Sequence, residues 1–464
     1  MPSGSNNYFK KNWLFFLLLA LAFLTRFCFL NYPAEVVFDE VHFGKFVGAY
    51  FTHRYYFDIH PPLGKMMIAG FAGVAGLDFQ GENPEKIFEK IGGQFSADDL
   101  LILRFLPALF NVLLVALIYK LILLLGLSGR SAFLGSSLIL FSTALLVQSK
   151  FILVDIFLLF FGFLAVYFFL LSKKQENSFL KNLVFLILCA VSLALSLSIK
   201  WTGLSFLGII LVWTAVDFFS SRPLKIADLT KKILIFILIP FSVYVLIFFI
   251  HFKILYKSGT GNPYMSQAFQ KTLSGNVVGK GVEPASFSRK FIELNAAMYK
   301  YNKTIIASHP FSSRWHQWPL TEKSIWYWSQ ATEKKSASVY FLANPVIWFS
   351  VLFAVAFSFV AFFVKKWRKI LPPLFYILVL GYFANLLPFI LVSRVTFLYH
   401  YLASLIFGIL IFVFLWEKVI RPPAWFYFIY LFALILVFLV LSPLVYGFPI
   451  PFMAMGAYRL FLRL

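Results

Sequence analysis

Acidic residues are scarce in this chain. Against 41 Lys and Arg there are 19 Asp and Glu in 464 residues, and charged residues of both signs make up only 13%. A soluble globular domain carries about 25% charged residues, so the ordinary water-facing surface is missing. Cysteine is nearly absent too. Cys28 and Cys189 both fall inside apolar runs, which argues against a disulfide framework and against a zinc site of three or four ligands. No internal repeat, low-complexity tract or separate soluble domain is visible.

What fills the chain instead is apolar. Hydrophobic residues make up 61% and 61 residues are Phe, with a mean hydropathy of +0.84. Runs of about 20 apolar residues recur, the length a helix needs to cross a bilayer. The sequence therefore predicts an all-α polytopic membrane protein. Eleven spans are expected, near 12–30, 100–125, 131–148, 151–172, 182–199, 202–219, 232–255, 340–364, 371–392, 395–416 and 424–446. The first resembles a signal-peptide core but is long and lacks a small-residue cleavage site, so it reads as a retained helix.

The net charge of +22 suggests nucleic acid at first sight, but its distribution favours membrane topology. Positive residues gather in cytoplasmic loops. Lys10 and Lys11 precede the first span. Arg130, Lys173, Lys174, Lys181, Arg222, Lys225, Lys231, Lys232, Lys365, Lys366, Arg368, Lys369, Lys418 and Arg421 fall in loops on the same expected side. The short connections opposite carry only Lys150, Lys200 and Arg394. No nucleic-acid partner is expected. Residues 1–464 read as one membrane domain. Residues 31–98 and 256–338 form two long extracytoplasmic loops, and 339–446 a C-terminal four-helix region. Within the first loop, Val41–Phe51 and Leu63–Val74 have helical periodicity but are too short to span, which suits helices lying in the interface.

The informative polar residues collect on that outer side. Asp39 and Glu40 are adjacent, with His42 close by, and Asp58 and His60 follow before Pro61-Pro62. Neighbours on a helix point apart, and Asp is also a favoured N-cap, so chemistry and capping both remain open for the acidic pair. Metal binding by His42 and His60 has weak support from their spacing, and no metal site is predicted. Arg104, Lys150, Lys200 and Arg394 all belong at the leaflet of Asp39 and Glu40, with Asp155 just inside. Each cation also suits a snorkelling role. Their convergence suits a lipid-linked phosphate, which takes charge-assisted hydrogen bonds.

These residues sit in longer motifs. FDEVHFGKF at 38–46 and FDIHPPLGK at 57–65 strongly resemble the protein O-mannosyltransferases, which have a GT-C-type fold. LRFLPALFNVLL, QSKFILVD, SIKWTGL, HFKILYKSGTGNPYMSQAFQKTL, SHPFSSRWHQWPL, LANPVIWF and SRVTFLYHYL continue the resemblance from about Lys11 to Tyr446. Three departures stand out, one of them in HPFSSRWHQWP, where the family pattern is more aromatic after the serines. Lys150 occupies a position where the family usually has Arg, and the second loop has no room for the β-trefoil domain that eukaryotic members insert. A prokaryotic-type member is expected.

The resemblance implies transfer of mannose from polyprenyl-phosphate-mannose to Ser or Thr hydroxyls of secreted or membrane proteins, with inversion at the anomeric carbon. It places Asp39 as general base, with Glu40 positioning loop or substrate. Arg104, Lys150 and Arg394, backed by Gln148 and Lys200, would hold the donor phosphate or anchor the loop, and Asp155 and His60 would support them. His309, Trp315 and Trp318, with Trp326 and Trp328, are acceptor or sugar candidates, although an interfacial aromatic belt explains each Trp equally well. No cofactor is predicted, and metal dependence is left open. Membrane lipid, the Sec translocon and a second subunit are the further expected partners. The expected setting is a prokaryotic plasma membrane with the site outside, or the endoplasmic reticulum with a lumenal site. The nearest alternative is a GT-C enzyme acting on lipid or glycan. A transporter would need related halves and broken helices at mid-membrane.

Overall fold

The computed structural model describes residues 4–79, 83–221, 223–304 and 308–462, with side chains from residue 12 onward. Arg222, one of the expected cytoplasmic cations, lies outside the described residues. The chain opens with α1 (Gly4–Phe27), which breaks from helical geometry at Asn12. The first loop then folds into α2 (Glu40–Thr52), α3 (Leu63–Val74) and the single turn α4 (Pro84–Ile87). The two short helices fall where periodicity places them.

Next comes α5 (Ala97–Leu124). Its 28 residues reach about 42 Å at 1.5 Å per residue. Ser96 caps it by accepting from the Asp99 N–H, and Asp98 and Asp99 complement the positive end of the helix dipole. A bundle of α6 (Gly129–Leu140), α7 (Thr143–Lys150), α8 (Asp155–Lys174), α9 (Phe179–Leu197), α10 (Leu204–Ser220) and α11 (Ile226–Ile254) follows. The second loop holds α12 (Gln267–Gln270), the amphipathic α13 (Phe287–Thr304) and a hairpin of β1 (Ile325–Ala331) and β2 (Lys335–Phe341). The chain finishes with α14 (Pro345–Phe363), α15 (Lys365–Ile370), α16 (Pro373–Leu386), α17 (Leu402–Leu415), α18 (Ala424–Tyr446), β3 (Ile450–Pro451) and α19 (Phe452–Leu462).

Among the described residues, nine helices are long and apolar enough to cross a membrane, and the pair α6 and α7, bent by 56°, makes a tenth. The eleventh expected span corresponds to Asn12–Phe27 of α1, whose 16 apolar-side residues are too few for a full crossing by length alone. The helix running through Leu398–Ile420 lies deepest, with 83% of its most apolar window buried, against 28% for α11 and α18. Phe241, Leu246, Phe428 and Phe432 on those outer helices are exposed, as lipid-facing residues should be.

The bend between α6 and α7 positions the site, and side chains take up several of the backbone groups it frees. Breaking a helix frees carbonyls at one end and N–H groups at the other. Buried Arg26 donates to Leu140 O at 2.6 Å and Ile139 O at 3.2 Å. Asn344 Nδ2 reaches Phe141 O at 3.2 Å. On the other side, the Ser142 hydroxyl accepts from the Leu145 N–H, and the Thr143 hydroxyl donates to Leu342 O at 2.6 Å. Backbone irregularity at membrane depth is tolerated only with such partners.

The three-stranded antiparallel sheet, in the order β1-β2-β3, departs from the all-α expectation. Ile325 pairs with Phe341 and Ala331 with Ser336, with an irregularity between Trp326 and Trp328. A bulge inserts an extra residue and upsets the alternation of faces. Tyr327 and Trp328 are consequently both buried.

Candidate active site

The site is built where the first loop is clamped onto the bundle. Glu40, at the start of α2, has no exposure to solvent. Its Oε1 accepts from Arg104 Nε at 2.8 Å and from the Ile152 N–H at 2.9 Å. Its Oε2 accepts from Arg104 Nη2 at 2.8 Å and from the Val37 N–H at 2.9 Å. Arg104 also donates to Leu30 O (3.3 Å), Pro33 O (2.8 Å) and Glu35 O (2.9 Å). A guanidinium has five N–H donors, and all five face protein acceptors. Glu40 and Arg104 therefore knit the first loop to α5 and to the segment after α7. In this geometry neither has a polar atom left for substrate or phosphate.

This clamp fixes the residue between its two halves. Phe38 takes a positive φ of 45°, uncommon for a bulky residue. Its N–H donates to Tyr327 O at 3.1 Å, and its ring stacks on Tyr327 with centroids 4.0 Å apart. Asp39 follows at the N-cap position of α2, but its side chain makes no cap hydrogen bond. The residue is half-buried. Burial pushes its pKa up to about 7; nearby Lys200 works against the rise, while Asp155 and Asp58 add to it.

A buried relay stands beside Asp39. The Tyr327 hydroxyl donates to Gln148 Oε1 at 2.7 Å. Gln148 Nε2 donates to Asp155 Oδ2 at 2.7 Å, and Lys200 Nζ donates to Asp155 Oδ1 at 2.7 Å. Lys200 also lies over the Tyr399 ring, 5.4 Å from its centroid. Nearby, Lys65 is ion-paired with Asp58 and donates to His60 O at 3.0 Å. His60 is held neutral: burial lowers its pKa well below the usual value, and the charges of Lys200, Arg394 and Lys65 push the same way. Arg394 makes only one long hydrogen bond, 3.3 Å to Val395 O, so most of its donors are unengaged among the described residues.

Below this polar end lies a cavity of about 490 Å³. Asp155, Lys200, Tyr399 and His400 form its polar rim, and Leu158, Leu204, Phe389 and Leu402 its walls. The wall residues belong to α8, α10, α16–α17 and the turns between them. Carboxylate and ammonium groups at the head of an apolar cleft suit an amphiphile with a charged head and a hydrocarbon tail.

The dolichyl-phosphate-mannose-protein mannosyltransferase family model matches residues 16–256, more than half of the chain. The chain belongs to that family. The family's C-terminal four-helix region matches residues 287–462. Protein O-mannosyltransferase 1 of Drosophila melanogaster is 34% identical over 275 residues, 57% of this chain and 30% of that protein. Dolichyl-phosphate-mannose–protein mannosyltransferase 6 of Saccharomyces cerevisiae is 31% identical over 310 residues, 63% of this chain and 39% of that protein. The chain thus spans well under half the length of these curated relatives.

Solved structures give the fold. The S. cerevisiae protein O-mannosyltransferase Pmt1-Pmt2 complex bound to the sugar donor superposes with a TM-score of 0.87 at 20% identity, covering 97% of this chain and 92% of that one. ArnT from Cupriavidus metallidurans bound to undecaprenyl phosphate gives 0.51 at 14% identity, over 97% and 72%. The Archaeoglobus fulgidus oligosaccharyltransferase gives 0.53 at 12% identity, over 95% and 56%. The chain has a GT-C fold that includes a small sheet.

Within this mannosyltransferase fold, the expected residues divide. Asp155 and Lys200 line the cavity, the charges of both reach Asp39, those of Lys200 and Arg394 reach His60, and Gln148 is bonded to Asp155. Lys150 does not join them. It is 1% exposed, donates to Tyr446 O at 3.0 Å and lies over the Tyr446 ring at 4.9 Å, so it faces α18. His309 is half-buried, its ring edge-on to Phe397 at 5.0 Å.

Trp318, a sugar candidate by sequence, is packed in the interior of this structure. It has no solvent exposure, its Nε1 donates to Ser313 Oγ, and it stacks on His400 at 5.8 Å. Trp328 is 1% exposed and donates to Glu35 Oε2 at 2.7 Å. Trp315 and Trp326 keep some exposure. Trp318→Ala should cost about 3–5 kcal/mol of stability, as for other buried aromatics, seen as a lowered midpoint in detergent melting. An altered substrate KM with unchanged melting would overturn that packing role. Tyr327, Tyr399, His400 and Lys65 escaped the sequence reading. The only available signal was that Tyr399 and His400 share a motif with Arg394, and Lys65 one with Asp58.

Proposed function

We propose that this protein transfers mannose from a polyprenyl-phosphate carrier to Ser or Thr hydroxyls of proteins at the extracytoplasmic face of a membrane. The observation that carries this is Asp39: a carboxylate with no hydrogen-bond partner among the described residues, a pKa near 7, and Lys200 beside it at the head of an apolar cleft. The named activities of the relatives and the donor in the Pmt1-Pmt2 complex support the same reading.

The chemistry needs few groups. The acceptor hydroxyl attacks C1 of the sugar while Asp39 takes its proton. The bond between C1 and the phosphate oxygen breaks as the new glycosidic bond forms on the opposite face. The electron pair leaves with the phosphate, so a β-linked donor gives an α-linked product. Positive charge builds on the ring in such a step, and negative charge on the departing phosphate. Lys200 and Arg394 are placed to stabilise the phosphate in a water-poor site. Asp155 and Gln148 hold Lys200 in position, and Tyr327 holds Gln148. Glu40 and Arg104 act one step back, by holding the loop that carries Asp39. The bias of positive loops away from the site supports the outward orientation. Emergence of acceptors from the Sec translocon and pairing with a second subunit fit this setting.

The direct test is transfer from polyprenyl-phosphate-mannose to a Ser/Thr peptide by purified protein, with and without chelator. Mannosyl peptide is expected. Mannose appearing on a lipid or glycan, and not on peptide, would support the alternative acceptor. Lys200→Ala should lower kcat on the order of 10²–10³-fold, as when a preorganised charge stabiliser is removed. Unchanged kinetics at saturating donor would remove Lys200 from the phosphate site.

A further inference from the structure

A second hollow opens beside the first, on the outer surface between α2 and the second loop. One part, about 400 Å³, is lined by His42, Lys45, Arg54, Tyr56 and Tyr264. The adjoining part, about 620 Å³, is lined by Arg54, Lys257, Ser258 and Thr260. The two share Arg54, Glu85 and Thr260, so they form one groove. Three cations line it, against Glu85 as its acid. None of Lys45, Arg54 and Lys257 is in an ion pair among the described residues. Arg54 and Lys257 are exposed.

The groove is a built feature. Lys257 N–H donates to His53 O and Tyr55 N–H to Lys257 O, each at 2.9 Å. A Cβ on Gly259 would meet Tyr55 O at 2.3 Å, and one on Gly261 would meet the Tyr56 carbonyl carbon at 2.4 Å. Only glycine permits that backbone approach. The groove also connects toward Asp39. Phe46 and Tyr56 line the groove, and Lys65, the ion-pair partner of Asp58, lies 5.7 Å and 5.8 Å from their ring centroids. The charge of Asp58 in turn reaches Asp39.

We propose that this groove seats the stretch of acceptor polypeptide flanking the modified hydroxyl and selects for Asp and Glu in it. The inference rests on the transferase reading. A surface trough with aromatic walls and three cations outside any ion pair among the described residues suits an extended acidic chain, whose carboxylates Lys45, Arg54 and Lys257 would meet. Exposed charge pairs are individually weak, about 1.4- to 5-fold in affinity. Three together give on the order of tenfold.

The experiment compares two peptides with the same Ser/Thr core, flanked by Asp and Glu in one and by Lys in the other. With the wild-type protein, KM should be about tenfold lower for the acidic peptide at similar kcat, and the gap should narrow as salt shortens the screening length below about 8 Å. Arg54→Glu with Lys257→Glu should remove or invert the preference, and Arg54→Lys should keep it, which separates charge from folding. Equal KM values for the two peptides, or a preference that survives charge reversal, overturns the groove's role. Transfer to neither peptide with intact donor overturns the transferase reading itself, and the inference falls with it.

Discussion

Asp39→Asn should reduce mannose transfer by about 10²–10⁴-fold, the usual contribution of a positioned general base. Asn keeps the shape and still accepts hydrogen bonds, but it cannot take the acceptor's proton. Because the Asp39 side chain anchors no helix cap, the loop should stay folded and donor affinity should hold. The loss belongs in kcat at saturating donor and peptide. The pH dependence has a definite sign. With a pKa of about 7, Asp39 is a base above that pH and a spectator below it, so wild-type kcat/KM should fall about tenfold per pH unit below 7. The residual activity of Asp39→Asn should lack that limb.

Stability should move the other way. An ordinary Asp ionises near 3.9. Between that pH and about 7 the folded state holds a proton that the unfolded chain has released. Stability therefore falls as pH climbs through this window and is flat above it. Asn removes the penalty. Asp39→Asn should melt at or above the wild-type temperature at pH 8, by an amount trimmed because the carboxylate is partly open to water. An inactive protein that is no less stable is the signature of a charge kept for function. Near-normal turnover in Asp39→Asn would end the base assignment.

Much of this arrangement can be read from the chain, and what cannot has physical causes. The spans follow from apolar runs, and α2 and α3 from runs too short to cross. Asp39, Asp155 and Lys200 stand out because charges at the membrane boundary are costly and rare. The bend after Leu140 does not stand out. SLILFSTALLVQ has neither Gly nor Pro and only the Ser142-Thr143 pair interrupts its apolar middle, and the break is held by Arg26 and Asn344 from remote segments. The β1–β2 hairpin is hidden for a related reason, since its bulge sends Tyr327 and Trp328 inward together and spoils the two-residue period. Arg104 and Lys150 look alike in sequence to Lys200 and Arg394. Only the full set of partners separates Arg104 and Lys150, occupied by the protein, from Lys200, which lines the cavity, and Arg394, which makes one long hydrogen bond among the described residues.

The same partner count gives the second large effect. Arg104→Ala should destabilise the protein by about 3–5 kcal/mol, the cost of breaking a buried pair and leaving one charge alone. Glu40 would keep only the Val37 and Ile152 N–H groups, and the carbonyls of Leu30, Pro33 and Glu35 would lose their donor. Arg104→Lys should rescue poorly, because an ammonium cannot reproduce the planar fork that meets both Glu40 oxygens. Transfer should fall as the loop bearing Asp39 loosens, while the donor KM of the folded fraction stays close to wild type. A phosphate-binding arginine gives the opposite pattern: a raised donor KM with an unchanged melting temperature. Glu40→Gln combined with Arg104→Met adds a further discrimination. Removing both charges spares the uncompensated ion, so the double variant should be less destabilised than the two single changes summed. Simple additivity would mean that Glu40 and Arg104 act independently, and the clamp that sets Asp39 would have to lie elsewhere.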